Sequence, residues 1–283
     1  AETMTGRIGF VDDRLDNFHA DVYLKLLRGD LADLGFRVTG CTALQAEPSR
    51  QWATANDVPW FDTVDDLNAE VDHFIVLAPS TPETHLTLCE AVFPHGKSSY
   101  VDKTFAPDLA TAQAIFALAD QHRVAVQTTS ALRYTNVQNL VASSTDPLHH
   151  MVTWGGGSSF EEYAIHPVEM IVSCLGPDVL RLMRWEDDPQ RSRLLLEWAS
   201  GATGIVHVYT DGSSTPFAAS ISSAAETRYV SVDAARIFSD TARAFLELFT
   251  TGQPGVNREE SLSVRRILDA AAQPEALKQF IDI

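Results

Sequence analysis

Short apolar strands alternate with helices over the first 130 residues, and this alternation restricts the fold more than any other feature of the chain. The segment His73–Ala78 (His-Phe-Ile-Val-Leu-Ala) is almost wholly apolar, which is typical of a strand covered on both faces. Strands joined by helices pair in parallel through right-handed crossovers. We therefore predict a doubly wound parallel sheet of the Rossmann type in an N-terminal domain of residues 1–130, with Val124–Thr128 as its sixth strand.

The pattern changes after about Arg133. Short strands now follow one another closely, and several alternate apolar and polar residues, as strands of an antiparallel sheet with one solvated face do. Two helices close the chain, and the second begins with a capping-box arrangement of Asn257 and Glu260. We predict an α/β protein whose second domain, residues 131–283, is α+β with a mainly antiparallel open sheet. Its terminal helices could pack back on the first domain.

Charge and composition exclude several classes of function. The chain has 283 residues, which suits two domains, and a net charge of −17, which leaves no basic face for nucleic acid. No apolar run approaches the roughly 20 residues that span a bilayer, and no signal-peptide pattern is present. The three cysteines are far apart and form neither a zinc motif nor a disulfide framework. We therefore expect a cytoplasmic protein without nucleic-acid or membrane partners and without a bound metal.

Polar motifs with a fixed spacing follow two of the predicted strands. Thr81-Pro82 and His85 come after the apolar strand, and Gly96-Lys97 precedes Asp102-Lys103-Thr104. This order resembles the Gfo/Idh/MocA family of sugar and polyol oxidoreductases, in which a Gly-Lys pair precedes Glu-Lys-Pro. The resemblance places Lys103 on the family's catalytic lysine, with Asp102 in place of Glu and Thr104 in place of Pro.

A second match lies in the C-terminal domain. The stretch Glu162-Tyr-Ala-Ile-His166-Pro-Val-Glu169 resembles the family's Asp-x-Gly-x-His-x-x-Asp. Because proline is favoured at the first helical position, we expect a helix to start at Pro167 with His166 as its N-cap. A histidine at this positive end of a helix is biased towards its neutral form. The Gly155-Gly156-Gly157 run just upstream suits a mobile or closely approached segment.

The resemblance implies the oxidation of a secondary alcohol, with one role for each motif. Lys103 would relay the hydroxyl proton, and His166 would hold or share that hydroxyl. Glu162 would orient Lys103 or a neighbouring sugar hydroxyl. Arg133, Tyr134 and Glu169 would contact the substrate, a small carbohydrate-like molecule. A nicotinamide cofactor, NAD or NADP, would accept the hydride, because no side chain can. The residues assigned to the cofactor are Asp13, Asn17, His19, Ser80, Thr81, His85 and Asp102.

The turn after the first strand carries carboxylates where a dinucleotide-binding enzyme usually carries glycines. Glycines there let the backbone approach a diphosphate at a helix N-terminus. When the chain is aligned on His19, which matches a histidine common in the family, the glycine positions become Val11, Asp13 and Asp16. With Asp12, these aspartates would repel a diphosphate by roughly several kcal/mol where water is scarce. We therefore expect the cofactor to be bound weakly or in an unusual way, unless Arg14 neutralises the loop.

Other interpretations stay open at this point. The end of the second strand, Gly40-Cys41-Thr42, lacks the acid that usually binds an adenosine ribose. The chain could therefore have lost ordinary NAD(P) use and bind, isomerise or eliminate a sugar-like ligand with Lys103 and His166. It could also be a non-catalytic partner subunit, or the acidic loop could bind a hard cation. We expect a homo-oligomer that assembles through the C-terminal sheet.

Overall fold

The structure, a computed structural model, describes residues 6–213 and 215–283. These residues divide into two compact units. The first unit contains residues 6–129 together with Phe238–Val256, and the second contains Ser130–Ile237 together with Asn257–Ile283. Of the two long C-terminal helices, the earlier one therefore belongs to the first unit and the later one to the second.

The first unit is built on a parallel sheet of five strands in the order β2-β1-β3-β4-β5. Every ladder in it is parallel, which confirms the predicted Rossmann-type sheet. The strand expected at Val124–Thr128 is present as β5 (Val126–Thr128), but it is the fifth strand and not the sixth, so the predicted count was one too high. The strands are β1 (Gly6–Asp12), β2 (Phe36–Ala43), β3 (His73–Val76), β4 (Ser99–Val101) and β5 (Val126–Thr128).

Helices connect these strands and bury their apolar faces against the sheet. The connecting helices are α1 (Phe18–Arg28), α2 (Ala46–Ala55), α3 (Val64–Asn68), α4 (His85–Val92) and α5 (Leu109–Gln121). Helix α1 buries Ala20, Tyr23, Leu24 and Leu27, which share one face because they are three, four and seven residues apart. They join Ile8 and Phe10 of β1 in one hydrophobic cluster of the core. This packing holds the start of α1 at the carboxyl edge of the sheet.

The second unit is a seven-stranded sheet in the order β11-β10-β6-β9-β8-β7-β12. All neighbouring strands are antiparallel except β6 and β9, which confirms the predicted mainly antiparallel sheet. The two-residue strand β12 is too short for a sequence pattern to show it. The strands are β6 (Leu148–Gly156), β7 (Val179–Trp185), β8 (Arg191–Trp198), β9 (Thr203–Tyr209), β10 (Ala218–Ser223), β11 (Thr227–Ser231) and β12 (Ile281–Asp282).

The remaining helices are α6 (Asn136–Ser143), α7 (Phe160–Tyr163), α8 (Ile165–Leu175), α9 (Ile237–Thr251) and α10 (Arg258–Ala271). Helix α8 packs against β6 and β9, and α10 packs against α8 and β7. One face of the large sheet is therefore covered by helices, and residues on its other face are partly exposed. Within the described ranges, no helix has the length and apolar character needed to cross a bilayer.

Candidate functional site

A pocket of about 270 Å³ lies at the carboxyl ends of β1 and β3 in the first unit. Strand β1 has β2 on one side and β3 on the other, so the chain crosses over in opposite directions here. Doubly wound sheets bind their ligands at such a switch point. Four of the seven residues assigned to the cofactor line this pocket, namely Asp13, Asn17, Ser80 and Thr81.

Asp12, the last residue of β1, is buried beneath the pocket. Its Oδ1 accepts hydrogen bonds from the backbone N–H groups of Arg14 (3.2 Å) and Ala78 (3.0 Å). Its Oδ2 accepts one from the side-chain amide of Asn17 (2.8 Å). Burial raises the pKa of Asp12 to about 7, although these donors favour the charged form. The Asp12 carboxylate therefore binds two backbone N–H groups and one side-chain amide that would otherwise be available to a ligand.

The other charged groups of this loop are paired with protein groups. Arg14 forms a two-point ion pair with Asp16, with Nε–Oδ1 and Nη2–Oδ2 distances of 2.6 and 2.8 Å. Asp13 accepts hydrogen bonds from the Gln45 amide at 3.2 Å and from the Thr81 hydroxyl at 3.4 Å. The guanidinium of Arg14 therefore neutralises Asp16, one of the three aspartates that replace the glycine loop.

The start of α1 is closed by side chains of the protein itself. Asn17 is the N-cap, because its Oδ1 accepts the N–H of Ala20 at 3.0 Å. Its amide donates to the carbonyl of Arg14 at 2.7 Å. The N–H of Leu15 donates to the hydroxyl of Ser49 at 3.1 Å. In a glycine-loop enzyme this helix end binds a phosphate, whereas here the N–H groups of Leu15 and Ala20 are bound by Ser49 and Asn17.

His19, Asp102 and Lys103 form one hydrogen-bonded group in the first unit. The Nδ1 of His19, in the first turn of α1, lies 2.5 Å from Oδ2 of Asp102. The other carboxylate oxygen of Asp102 accepts the backbone N–H of Lys103 at 2.8 Å. Asp102 and Lys103 follow β4 directly, and they are only 1% and 4% exposed. The peptide bond between Lys103 and Thr104 is cis.

Two buried tyrosines beside this group were missed by the sequence reasoning. Tyr23 contacts the ring of His19 edge-on, with 6.1 Å between ring centroids, and it is hydrogen-bonded to Tyr100. Burial and the nearby Asp102 raise the pKa of Tyr23 well above its usual range. Tyr23 is four residues after His19 on α1, and Tyr100, on β4, is two residues before Asp102. These spacings place each tyrosine on the same face as its partner, so periodicity could have found both.

His85, also assigned to the cofactor, lies in the interior. It is fully buried, and its ring nitrogens lie 2.9 Å from the carbonyl oxygen of Phe105 and 2.5 Å from that of Leu77. The side chain therefore ties the end of β3 to the segment that follows Lys103. Both of its nitrogens are engaged within the protein.

The second motif lies in the second unit, and its helix begins earlier than predicted. Helix α8 starts at Ile165, so His166 is inside the first turn and is not the N-cap. The reason is that α7 runs directly into α8 through Ala164, whose backbone is helical (φ −60°, ψ −27°). Pro167 is tolerated because N–H groups in a first turn need no partner within the helix. His166 is 7% exposed and packs near Tyr163 and Phe217.

Glu162 and the glycine run flank this helix. The backbone N–H of Glu162 is capped by the Ser159 hydroxyl at 3.2 Å, and its side chain is partly exposed. A Cβ on Gly155 would lie 2.8 Å from the ring of Pro167, and one on Gly156 would lie 2.1 Å from the Tyr209 carbonyl oxygen. The glycines therefore serve the close approach of neighbouring segments, one of the two expectations for this run.

Glu169 and Arg133 contact protein groups in the second unit. The Glu169 carboxylate accepts the N–H of Ser130 at 2.5 Å, and burial raises its pKa to about 7. Arg133 forms an ion pair with Glu260 at 3.2 Å, and its guanidinium lies 5.9 Å from the ring centroid of Tyr134. Asn257 is the N-cap of α10 as predicted, but the Glu260 carboxylate pairs with Arg133.

The acidic loop shows no arrangement for a metal ion. Among residues 6–213 and 215–283, no three histidine, cysteine, aspartate or glutamate side chains are grouped so that they could hold one. The aspartates of the loop are instead bound to protein donors and to Arg14.

Residues 16–130 match the family model of GFO_IDH_MocA, described as an oxidoreductase family with an NAD-binding Rossmann fold. This part of the chain is therefore similar to the Gfo/Idh/MocA family. The matched residues include the end of the β1–α1 loop from Asp16 and the strands β2 to β5. They also include the His19–Asp102–Lys103 group. None of the curated proteins matches the chain significantly.

Solved structures share this fold over the whole chain. GenD2 from gentamicin A biosynthesis, solved in complex with NAD, is 16% identical with a TM-score of 0.82, covering 100% of this chain and 98% of that one. For scyllo-inositol dehydrogenase from Lactobacillus casei, the identity is 14%, the TM-score 0.78 and the coverage 98% of both chains. UDP-N-acetylglucosamine 3-dehydrogenase GnnA from Acidithiobacillus ferrooxidans has 14% identity and a TM-score of 0.78, with 98% of this chain and 99% of that chain covered. At these identities the likeness establishes the fold.

The pocket lies where a Gfo/Idh/MocA dinucleotide would be expected, but the β1–α1 loop does not fit a diphosphate. A diphosphate needs free backbone donors and a positive environment. The N–H groups of Arg14, Leu15 and Ala20 are bound to Asp12, Ser49 and Asn17, and the one cation of the loop, Arg14, is paired with Asp16. The hydroxyl and amide groups of the pocket suit the uncharged parts of such a cofactor better than its phosphates.

Proposed function

We propose that this protein is an oxidoreductase that acts on a secondary alcohol of a sugar or polyol with NAD or NADP. The observation that carries the proposal is the buried Lys103 at the end of β4, whose backbone is held by Asp102 and, through it, by His19. Structures with the same fold include dehydrogenases named for inositol and for a nucleotide sugar, which supports a hydroxylated substrate.

Oxidation of a secondary alcohol removes a hydride from carbon and a proton from oxygen. A nicotinamide cofactor accepts the hydride when it is bound. The chain must supply the proton acceptor, and we assign this role to the amine of Lys103. Asp102 and His19 act as positioning residues, since they hold the backbone from which the Lys103 side chain extends.

In the second unit, we propose that His166 binds the reacting hydroxyl of the substrate and that Glu162 binds a neighbouring hydroxyl. His166 lies among aromatic side chains on a buried first turn, so the position of its ring is restricted by packing. Arg133 and Glu169 are engaged with protein groups, so we propose that they support the substrate region indirectly.

The proposal is tested by oxidation of a panel of inositols, hexoses and nucleotide sugars with NAD and with NADP. The expected result is substrate-dependent formation of reduced nicotinamide, followed by absorbance. Absence of turnover, together with thermal stabilisation by one of these sugars, would favour a sugar-binding protein that has lost ordinary NAD(P) use. The carboxylate-rich loop is the observation that favours this second function.

Replacing His166 with Asn should lower kcat/KM at least about tenfold, because Asn can accept a hydrogen bond but cannot exchange a proton near neutral pH. The unfolding temperature should fall only modestly, since the smaller side chain leaves a small cavity beside Tyr163 and Phe217. His149→Asn, at an exposed position of β6, is the control. An unimpaired His166→Asn enzyme would return this residue to a packing role.

We also propose that the open face of the large sheet binds a second copy of the chain. Val152, Ile205, Leu195 and Met183 lie opposite one another on four neighbouring strands and form an apolar row on the face away from α8. Trp185 and Tyr229 are more than half exposed near this row. A twofold axis would bring this face against itself, which is the usual arrangement in homodimers.

Ile205→Lys should therefore convert the oligomer to monomers, measured by light scattering after size-exclusion chromatography. The charge would be desolvated at the centre of the row, whereas Glu275→Lys, at an exposed position outside the sheet, should leave the assembly unchanged. A wild-type protein that is monomeric at micromolar concentration would contradict the proposed interface.

A cytoplasmic location completes the proposal. It is supported by the odd number and wide spacing of the cysteines, which suit a reducing compartment. Cys41 and Cys89 are buried, and burial raises the pKa of the Cys41 thiol to about 12.

A further inference from the structure

The β1–α1 loop (Asp12–Asn17) holds a carboxyl group of its own at the carboxyl end of β1. Oδ1 of Asp12 accepts two backbone N–H groups, one from Arg14 in the loop and one from Ala78 after β3. Backbone N–H groups that converge on one point beside a helix start are the donor set that binds phosphate in nucleotide-binding folds. In this chain the carboxylate of Asp12 fills that position.

The surrounding backbone is arranged around this carboxylate. Ala78 adopts a left-handed conformation (φ 53°), which is unfavourable for an L-residue, and in this conformation its N–H donates to Asp12. The side-chain amide of Asn17 binds the other oxygen of Asp12 while its carbonyl caps α1. The contacts of Asp12 thus join β1, the segment after β3 and the start of α1.

The charges at the mouth of the pocket oppose an added anion. Asp13 and Asp16 both line the pocket, and the one cation among its lining residues, Arg14, is bound at two points by Asp16. A diphosphate would have to displace Asp16 from Arg14 and approach Asp13 in a partly enclosed space. The first step is only weakly unfavourable, because the Arg14–Asp16 pair is solvent-exposed. The second is opposed more strongly by the charge of Asp13, which is partly buried.

We propose that the Asp12 carboxylate takes the place of a cofactor phosphate, so that this chain binds its nicotinamide cofactor without diphosphate contacts to the β1–α1 loop. This proposal rests on the proposed function in one respect only, namely that the diphosphate kept away from the loop is identified as that of NAD or NADP. It predicts a dissociation constant at or above about millimolar for any ligand that depends on these diphosphate contacts.

Calorimetric titration with ADP-ribose tests the inference, because ADP-ribose carries the diphosphate and lacks the nicotinamide. Two variants distinguish the effect of the acceptor atom at position 12 from the effect of its negative charge. Asp12→Asn keeps Oδ1 as an acceptor for both N–H groups and removes the charge, whereas Asp12→Gly removes the acceptor and the charge together. Adenosine, which has no phosphate, is the control ligand for all three proteins.

The expected result is a wild-type dissociation constant weaker than about millimolar and an Asp12→Gly protein that binds ADP-ribose at least about tenfold more tightly than Asp12→Asn. Adenosine should bind all three proteins alike. Micromolar binding of ADP-ribose by the wild-type chain would overturn the inference, and so would equal affinities of the two variants. Asp12→Ala, which suits the end of a strand, replaces Asp12→Gly if the latter does not fold.

This titration needs no turnover, so its outcome is independent of the oxidation assay. Sugar oxidation together with tight ADP-ribose binding would support the proposed function and reject the role of Asp12. Weak ADP-ribose binding that is relieved in Asp12→Gly would support the role of Asp12 whether or not a substrate is found.

Discussion

Lys103→Met should lower kcat/KM at least about a hundredfold while the unfolding temperature stays close to that of the wild type. Methionine has a similar length and fills the buried space of the lysine stem, but it cannot accept a proton. The contact that holds this segment survives the change, because Asp102 binds the backbone N–H of Lys103 and not its amine. Steady-state kinetics on the substrate found in the panel, with thermal unfolding in parallel, measures both effects.

Lys97→Met is the matched control for this prediction. The amine of Lys97 donates to the backbone carbonyls of Asn68 and Val71, each at 2.8 Å, so its role is to hold the turns before β3 and β4. Its loss should reduce stability and leave the chemical step unchanged. The opposite pattern, with full activity in Lys103→Met and a lost rate in Lys97→Met, would remove Lys103 from the catalytic role.

The fold could be predicted because its determinants are local and repeated. An apolar strand such as β3, flanked by helices, is buried on both faces, and its backbone N–H and C=O groups are paired in a parallel sheet. The number of strands was predicted less well, because six were expected and the sheet has five. The stretch between β2 and β3 contributes only one bridge, from Trp60 to Cys41. Whether such a stretch becomes a strand depends on its neighbours in space, which the sequence does not show.

The site could be predicted only in part, for a related reason. The spacing of Asp102 and Lys103 after a strand identified the group that His19 joins, and the structure places these three residues together. The inward turn of Asp12 depends on the left-handed backbone of Ala78, 66 positions away. The pairing of Arg133 with Glu260 spans 127 positions. No local pattern encodes contacts at such separations.

Glu169 gives the second prediction with a large expected effect, through the dependence of stability on pH. The folded pKa of Glu169 is raised from 4.5 to about 7, chiefly by burial, and Glu260 adds to the rise while Ser130 and Arg133 oppose it. The folded state therefore binds the proton more tightly than the unfolded state between these two values. Stability falls as the pH rises from about 4.5 through about 7, by about 3 kcal/mol for a shift of this size.

Glu169→Gln should remove this pH dependence, because the amide keeps an oxygen that can accept the N–H of Ser130 and has no charge to desolvate. Relative to the wild type, the variant should gain up to about 3 kcal/mol in the free energy of unfolding between pH 5 and pH 8, measured by urea denaturation. Glu197→Gln is the control, since Arg181 lowers the pKa of that partly exposed carboxylate and its titration lies below this range. A difference between Glu169→Gln and wild type that stays constant from pH 5 to pH 8 would show that Glu169 is already ionised in the folded protein at the lower pH. The buried carboxylate would then be stabilised by Ser130 and Arg133 more strongly than its burial disfavours it.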